Sequence, residues 1–166
     1  LIDYGAGNLH SVANALKAAG AEGVALTSDP EVVRAADRIV LPGVGSFRAC
    51  AEGLRAIPHL EEVLAERVLV GGAPFLGICV GMQLLATLGV EHGSTPGLGW
   101  IGGEVRMIER TGPALKIPHM GWNDVEVTRH AALVEAGEAY FLHSYHFQPE
   151  DGHHVAAMTD HGGGLV

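Results

Sequence analysis

The chain has 166 residues, of which 48% are hydrophobic and 17% are charged, a composition typical of a compact folded chain and not of a disordered one. The formal net charge of −9 excludes a protein that binds the nucleic-acid backbone, because no basic surplus can neutralise the phosphates. No apolar run approaches the roughly 20 residues of a membrane-spanning helix, no signal peptide is visible, and the two cysteines provide no disulfide framework, so we expect a cytoplasmic protein.

Strands and helices are predicted to alternate in the first half of the chain. Short buried strands are predicted at residues 1–3, 24–27, 38–41 and 74–78. Helices are predicted at 9–19, 47–57, 59–70 and 80–88, and a short helix is predicted to begin at Pro30. This order predicts a mostly parallel sheet with helices on both faces. Ligands bind beyond the carboxyl ends of such strands, where the loops 4–8, 42–47 and 77–81 are expected to meet.

The second half of the chain has a different texture. After Gly93 the helical periodicity fades, and short β-like runs follow at residues 100–109, 114–117, 124–128, 139–147 and 155–159. We interpret this half as an antiparallel β extension packed at the edge of the parallel sheet. No repeat or linker divides the chain, so residues 1–166 are expected to form a single domain.

Cys79 stands between a predicted strand and a predicted helix, with Gly77 two residues before it and Gly81 two residues after it. This is the glycine spacing of a nucleophile elbow, in which the reactive side chain lies on a strained turn. A thiolate at a helix start is favoured by the N–H groups that point at it. We therefore interpret Cys79 as a nucleophile, although an isolated cysteine is more often a small core hydrophobe.

A second glycine-rich loop follows the third predicted strand, at residues 42–47. Its backbone N–H groups can point at an anion or at an oxyanion that develops during a reaction, and a plain turn is the alternative interpretation. Gly5 and Gly7 suggest a dinucleotide site only weakly, because His10 stands where the third glycine should be.

No metal site and no cofactor are predicted. His143 and His146 are three residues apart, but in a strand that spacing directs the two side chains to opposite faces. Cys50 lies on the apolar side of a predicted helix and is expected in the core.

Five segments carry a resemblance to a known family, namely residues 2–9, 41–47, 77–83, 118–123 and 141–145. The elbow segment resembles the class I glutamine amidotransferases. The Asp-Tyr-Gly-Ala-Gly-Asn sequence from Asp3 and the Pro-His-Met-Gly-Trp-Asn sequence from Pro118 narrow the resemblance to the glutaminase subunits of imidazole glycerol phosphate synthase. The resemblance covers essentially the whole chain and implies a flavodoxin-like class I amidotransferase fold.

The resemblance implies that the protein hydrolyses glutamine to glutamate and ammonia in histidine biosynthesis. The ammonia would pass through a channel to a barrel-shaped cyclase subunit, the partner in a heterodimer. That subunit is a lyase that makes imidazole glycerol phosphate and the aminoimidazole carboxamide ribotide.

The resemblance also implies roles for individual residues, with Cys79 as the nucleophile. The oxyanion donors would be the backbone N–H groups of Val80 and, after rearrangement of the loop, of Val44 or Gly45. The contacts with glutamine would be Gln83, Glu91, Ser144 and Tyr145. The residues at the synthase partner would be Met120, Trp122 and Asn123.

Two members of the expected catalytic triad are not found in the sequence. The family takes its base and orienting group from a His-Pro-Glu sequence on a late strand. Gln148, Pro149 and Glu150 form an imperfect match that follows the preceding motif too closely. We therefore expect a fragment that lacks both termini and ends before that strand, and we expect this chain alone to be inactive.

Two alternatives stay open at this point. One is the glutaminase of another synthase, for anthranilate or pyridoxal phosphate, which the sequences around Tyr4 and His119 oppose. The other is a catalytically silent subunit that binds a partner and keeps the elbow without the triad. A reading frame that continues to His-Pro-Glu would favour the enzyme over the silent subunit.

Overall fold

The computed structural model describes residues 1–109, 115–128, 134–162 and 164–165. The first half alternates helices with short strands, as predicted. Its elements are α1 (Leu9–Ala18), α2 (Pro30–Ala35), β1 (Ile39–Leu41), α3 (Phe47–Arg55), α4 (Leu60–Ala65), a π-helical turn (Glu66–Val70), β2 (Phe75–Gly77) and α5 (Val80–Gln83).

Hydrogen bonds join four parallel segments of this half into one layer. β1 pairs with β2 in parallel, the Ile2 N–H donates to the Val40 carbonyl at 3.0 Å, and Ile2 forms a parallel bridge with Thr27. The spatial order is therefore the segment at Thr27, the segment at Ile2, β1 and β2. This is the start of the flavodoxin-like order, in which the second strand of the chain lies outside the first.

Side chains at the helix starts explain where three of the helices begin. Asn8 caps α1 by accepting the Ser11 N–H, Asp29 caps α2 by accepting the Glu31 N–H, and Ser46 caps α3 by accepting the Ala49 N–H. Each cap satisfies one of the N–H groups that a first helical turn leaves unpaired. The cap at Ser46 also fixes the end of the glycine-rich loop 42–47.

The second half of the described chain is built mainly from antiparallel strands, as predicted. They are β3 (Ala86–Gly89), β4 (Thr95–Pro96), β5 (Ile101–Met107), β6 (His119–Val127), β7 (Gly137–His143), β8 (Tyr145–Pro149), β9 (Ala157–Met158), β10 (Asp160–His161) and β11 (Gly164–Leu165). β5 pairs antiparallel with β8, and β6 pairs antiparallel with β7 and β9. In the run expected at 114–117, residue 114 lies outside the described residues and residues 115–117 are not in a strand.

β7 and β8 form one nearly continuous stretch that changes sheets at Ser144. β7 pairs with β6 up to His143, and β8 pairs with β5 from Tyr145 onward. The change of sheet places the end of the β6–β7 hairpin beside the residues that follow the elbow. A hydrogen bond from Gln83, the last residue of α5, to the carbonyl of Tyr145 joins the start of β8 to the elbow helix.

One hydrophobic cluster connects the two halves. It combines residues of the parallel layer with residues of α3, α4 and β5, among them Ile2, Leu41, Phe47, Leu54, Leu64 and Val105. In α3 the buried residues are Phe47, Cys50, Ala51 and Leu54, which is the spacing of one helical face. Among the described helices, none combines the length and apolar character of a membrane span.

Candidate active site

Cys79 occupies a strained backbone position between β2 and α5. Its φ is 55° and its ψ is −119°, a region that non-glycine residues rarely adopt. The side chain is exposed. A strained, exposed cysteine at a strand-to-helix turn is the geometry expected of a nucleophile elbow.

The glycines around Cys79 are required because backbone from other segments approaches them closely. A Cβ on Gly81 would overlap the Leu41 carbonyl oxygen at the end of β1, and a Cβ on Gly77 would lie 2.5 Å from the Met82 Cα. Gly43 is similar, since a Cβ there would lie 2.5 Å from the Gly81 nitrogen. The loop 42–47 and the elbow are therefore packed directly against each other.

The helix after Cys79 is much shorter than predicted. The expected helix at 80–88 ends at Gln83, and Ala86–Gly89 form β3, which pairs in parallel with β5. Only four residues are helical, so the helix dipole contributes less at Cys79 than the sequence suggested. The backbone N–H groups next to Cys79 therefore matter more than the helix dipole for stabilising negative charge there.

The Val80 N–H is available as a hydrogen-bond donor. The next three N–H groups bond within the turn, from Gly81 to the Ile78 carbonyl and from Met82 and Gln83 to the Cys79 carbonyl. In the described part of the chain, no hydrogen bond uses the Val80 N–H. A free backbone donor directly after the nucleophile is what an oxyanion site needs.

Three side chains form hydrogen bonds with backbone groups of the loop 42–47. The Tyr4 hydroxyl donates to the Pro42 carbonyl at 2.5 Å, the Cys50 thiol donates to the Val44 carbonyl at 3.3 Å, and Glu91 Oε2 accepts the Phe47 N–H at 2.7 Å. Of the two side-chain donors, the Cys50 thiol is weaker than the Tyr4 hydroxyl. The Val44 carbonyl is therefore the least firmly held part of the loop.

Burial keeps the two side-chain donors to the loop, the Tyr4 hydroxyl and the Cys50 thiol, protonated. It raises the pKa of the Tyr4 hydroxyl and the pKa of the Cys50 thiol. Both groups are thus neutral donors at physiological pH. Gly45, which follows the weakly held carbonyl, has a φ of +87° and open space around its Cα.

Two of the expected glutamine contacts are linked by hydrogen bonds to the residues around the elbow, namely Gln83 and Glu91. Gln83 Nε2 donates to the Tyr145 carbonyl at 3.3 Å, so the helix after Cys79 contacts the first residue of β8. The Ser144 carbonyl accepts the Ile108 N–H, which fixes the point where the chain changes sheets. Glu91 is placed against the loop by its bond to Phe47.

The expected partner residues lie on two different faces of β6. Met120 and Trp122 are exposed and, together with Tyr140 and Leu142 opposite them on β7, form a surface that we call the β6–β7 apolar patch. Trp122 and Tyr140 contact edge-to-face, with ring centroids 5.8 Å apart. Asn123 points to the other face, where its amide donates to the Asp160 carbonyl at 2.7 Å.

Neither a base for Cys79 nor a metal site is found in the described ranges. The Cys79 thiol is not in a disulfide and is exposed, and within these ranges it forms no hydrogen bond with a side chain. No group of three His, Cys, Asp or Glu side chains in residues 1–109, 115–128, 134–162 and 164–165 is arranged to hold a metal ion. His143 and His146 lie in different sheets, the first opposite His119 and the second opposite Arg106.

Some residues of the site were not singled out from the sequence. The roles of Tyr4 and Cys50 below the loop depend on tertiary contacts that no local pattern reveals. Tyr140 and Leu142 could have been found, since they alternate with inward-facing residues along a predicted strand.

Comparison with known proteins places this geometry in a family. Residues 1–165 match the model of the glutamine amidotransferase class-I family. The imidazole glycerol phosphate synthase subunit HisH of Zymomonas mobilis is 55% identical, over 98% of this chain and 78% of that protein. The subunit of the same name from Rhodospirillum rubrum is 54% identical, over 100% of this chain and 82% of that protein.

A solved structure supports the same fold. A crystal structure of a glutamine amidotransferase superposes with a TM-score of 0.72, covering 99% of this chain and 85% of that chain, at 21% sequence identity. At that identity the likeness concerns the fold alone.

Proposed function

This chain belongs to the class I glutamine amidotransferase family, and we propose that it is the glutaminase subunit of an imidazole glycerol phosphate synthase. It hydrolyses glutamine to glutamate and ammonia for histidine biosynthesis. The observation that carries the proposal is the strained Cys79 followed by the free Val80 N–H. The identity of 55% and 54% with synthase subunits favours this synthase over those for anthranilate or pyridoxal phosphate.

The reaction begins when the Cys79 thiolate attacks the carbonyl carbon of the glutamine side-chain amide. The carbon becomes tetrahedral and its oxygen carries the negative charge, which the Val80 N–H stabilises. The carbon–nitrogen bond then breaks, ammonia leaves, and a glutamyl thioester remains on Cys79. Water hydrolyses the thioester to glutamate and frees the thiol.

A second oxyanion donor requires a change in the loop 42–47. The Val44 carbonyl points at the Cys50 thiol, and in a trans peptide the N–H of Gly45 points the opposite way. Among the described residues, the thiol bond is the one hydrogen bond that rotation of this peptide breaks, and the rotation exchanges the directions of the carbonyl and the N–H. The glycine at position 45 tolerates the change, so we propose that Gly45 supplies the second donor when the site is active.

The other proposed substrate contacts are supported by two hydrogen bonds, from Phe47 in the loop to Glu91 and from Gln83 to the Tyr145 carbonyl. Glu91 lies against the loop and accepts the glutamine α-amino group, while Gln83, Ser144 and Tyr145 form the opposite wall. The thiol proton has to pass through a base to the leaving nitrogen. The His-Pro-Glu sequence expected beyond residue 166 stays a prediction for that base and for its orienting group.

The β6–β7 apolar patch is proposed as the contact with a cyclase subunit in a heterodimer. Its four large side chains are between 57% and 71% exposed, a degree of apolar exposure that marks interaction surfaces. Asn123 lies on the opposite face of β6 and is not part of the patch. The ammonia released at Cys79 passes to this subunit.

Replacement of Trp122 by Ala tests the partner surface. A tryptophan at the centre of an interface contributes about 2 kcal/mol or more, so we expect the dissociation constant for the cyclase subunit to rise about thirtyfold. Calorimetric titration of the full-length protein with the cyclase subunit measures it. Leu69→Ala, at an exposed leucine outside this sheet, is the control, and equal affinities for the two variants would contradict the assignment.

The function itself is tested with the full-length protein and its cyclase subunit. We expect glutamate release from glutamine in the complex, and formation of imidazole glycerol phosphate without added ammonium. A complex that forms normally but releases no glutamate would favour the silent partner-binding subunit instead.

A further inference from the structure

Two histidines form a hydrogen-bonded pair behind the β6–β7 apolar patch. His119 begins β6 and lies opposite His143, the last residue of β7. His119 is buried, and its Nδ1 is 2.9 Å from Nε2 of His143. The rings of Phe141 and His161 stack on His119, with centroids at 4.7 and 4.1 Å.

The neighbouring Asn123 fixes the direction of the hydrogen bonds in this pair. The Asp124 N–H donates to Asn123 Oδ1 at 2.9 Å, so the other end of the amide is the NH₂ group. This group donates to the Asp160 carbonyl at 2.7 Å and lies 3.1 Å from His119 Nε2. His119 Nε2 is therefore an acceptor and carries no proton.

The positions of the other ring protons of His119 and His143 follow from this acceptor. Since Nε2 of His119 is an acceptor, its Nδ1 carries the proton and donates to His143 Nε2. His143 then carries its own proton on Nδ1, which donates to the Tyr145 carbonyl at 3.1 Å. Both rings are neutral, and each has its proton on Nδ1.

The environment of the pair favours this neutral state. Burial is the largest effect and lowers the pKa of His119 and the pKa of His143, and positive charge on His161 lowers both further, whereas the bond to the Tyr145 carbonyl acts in the opposite direction on His143. Protonation of His143 would place two N–H groups against each other. Positive charge on His143 in turn acts on His146 of β8, whose pKa is lowered by burial and by Arg106.

The Tyr145 carbonyl connects the pair to the elbow. It accepts the Nδ1 proton of His143 and also the amide of Gln83 at 3.3 Å. Gln83 is the last residue of the helix that begins after Cys79. A continuous set of hydrogen bonds thus runs from Asn123 on β6 through two histidines and one carbonyl to Gln83.

We propose that His119 and His143 are positioning residues, which hold the Tyr145 carbonyl in place and, through it, the Gln83 amide. They also connect this wall of the site to strand β6, which carries the proposed contact with the cyclase subunit. The inference rests on the proposed function, because it gives Gln83 a task in binding glutamine. The two histidines do not touch the substrate. They act by fixing the residues that do.

Two matched variants of His143 separate its two hydrogen bonds. Asn at position 143 places an NH₂ group near Nδ1 and keeps the donor to Tyr145, whereas Gln reaches the position of Nε2 and keeps only the contact with His119. In the full-length complex we expect H143Q, which loses the bond to the Tyr145 carbonyl itself, to raise the KM for glutamine about three- to tenfold. H143N keeps that bond and loses only the bond to His119, one step further from Gln83, so we expect it to raise the KM less, by about two- to threefold. The rate with saturating ammonium should be the same in all three proteins.

The proton assignment is tested without any variant. In ¹⁵N-histidine-labelled full-length protein at pH 7.5, long-range ¹H–¹⁵N spectra should show His119 and His143 neutral, with the proton on Nδ1. A proton on Nε2 of either ring, or a charged ring, would overturn the inference, as would equal KM values for H143N and H143Q. If the wild-type complex hydrolyses no glutamine, the proposed function fails, and the spectra still decide whether the hydrogen-bond direction is right.

Discussion

Replacing Cys79 by Ser is expected to abolish glutamine-dependent synthesis while leaving ammonia-dependent synthesis intact. The hydroxyl has the shape of the thiol but lacks its acidity and nucleophilicity, and loss of a covalent nucleophile costs at least about a thousandfold in rate. The cyclase subunit does its own chemistry, so added ammonium salts bypass the defect. The measurement is imidazole glycerol phosphate formation by the full-length complex with glutamine and, separately, with saturating ammonium.

The second cysteine provides the matched control for that experiment. Cys50→Ala removes the buried thiol and its weak bond to the Val44 carbonyl, so glutamine hydrolysis should stay within about tenfold of the wild type. Loss of both the glutamine and the ammonium reactions in Cys79→Ser would argue against the division of work between the two subunits. Retained glutamine hydrolysis would argue against Cys79 as the nucleophile.

Replacing Gly81 by Ala is expected to disrupt both the fold and the site. The added Cβ would overlap the Leu41 carbonyl oxygen and lie 2.8 Å from the Leu41 carbonyl carbon. These are backbone atoms of β1, in the hydrophobic cluster, so neither side can move without disturbing the sheet. We expect the free energy of unfolding to fall by about 3 kcal/mol or more, and the displaced elbow to lower kcat by about a hundredfold.

Denaturant unfolding and glutaminase kinetics of the full-length protein measure the two effects. Gly152→Ala is the control, because that glycine has open space around its Cα and no positive φ. We expect Gly152→Ala to change stability by less than about 0.5 kcal/mol. A Gly81→Ala protein that matches this control in stability and rate would show that the close approach of β1 to the elbow is unimportant.

The fold could largely be predicted because its signals are local. The caps at Asn8, Asp29 and Ser46 and the apolar spacing of α3 are readable within a few residues. The prediction of a helix after Cys79 was wrong beyond Gln83, because short apolar runs suit either a helix or a strand. At Ala86 the pairing with Ile101 in β5 decides the outcome, and no local pattern contains that information.

The candidate site could be predicted only in part, for the same physical reason. Cys79 and the loop 42–47 are recognisable because glycine spacing and a turn are local features. The hydrogen bond from the Cys50 thiol to the Val44 carbonyl could be found only from the tertiary structure. The pairing of His119 with His143, which are 24 residues apart, depends on the β6–β7 register, so no local pattern connects these histidines with Gln83.

A covalent probe of the glutamine pocket tests the central assignment most directly. The full-length protein with its cyclase subunit bound is treated with a diazoketone analogue of glutamine, and the adduct is located by peptide mass spectrometry. We expect one adduct per chain, on Cys79, whose formation excess glutamine prevents. No adduct, or an adduct elsewhere with Cys79 unmodified, would contradict the assignment of Cys79 as the nucleophile that releases ammonia.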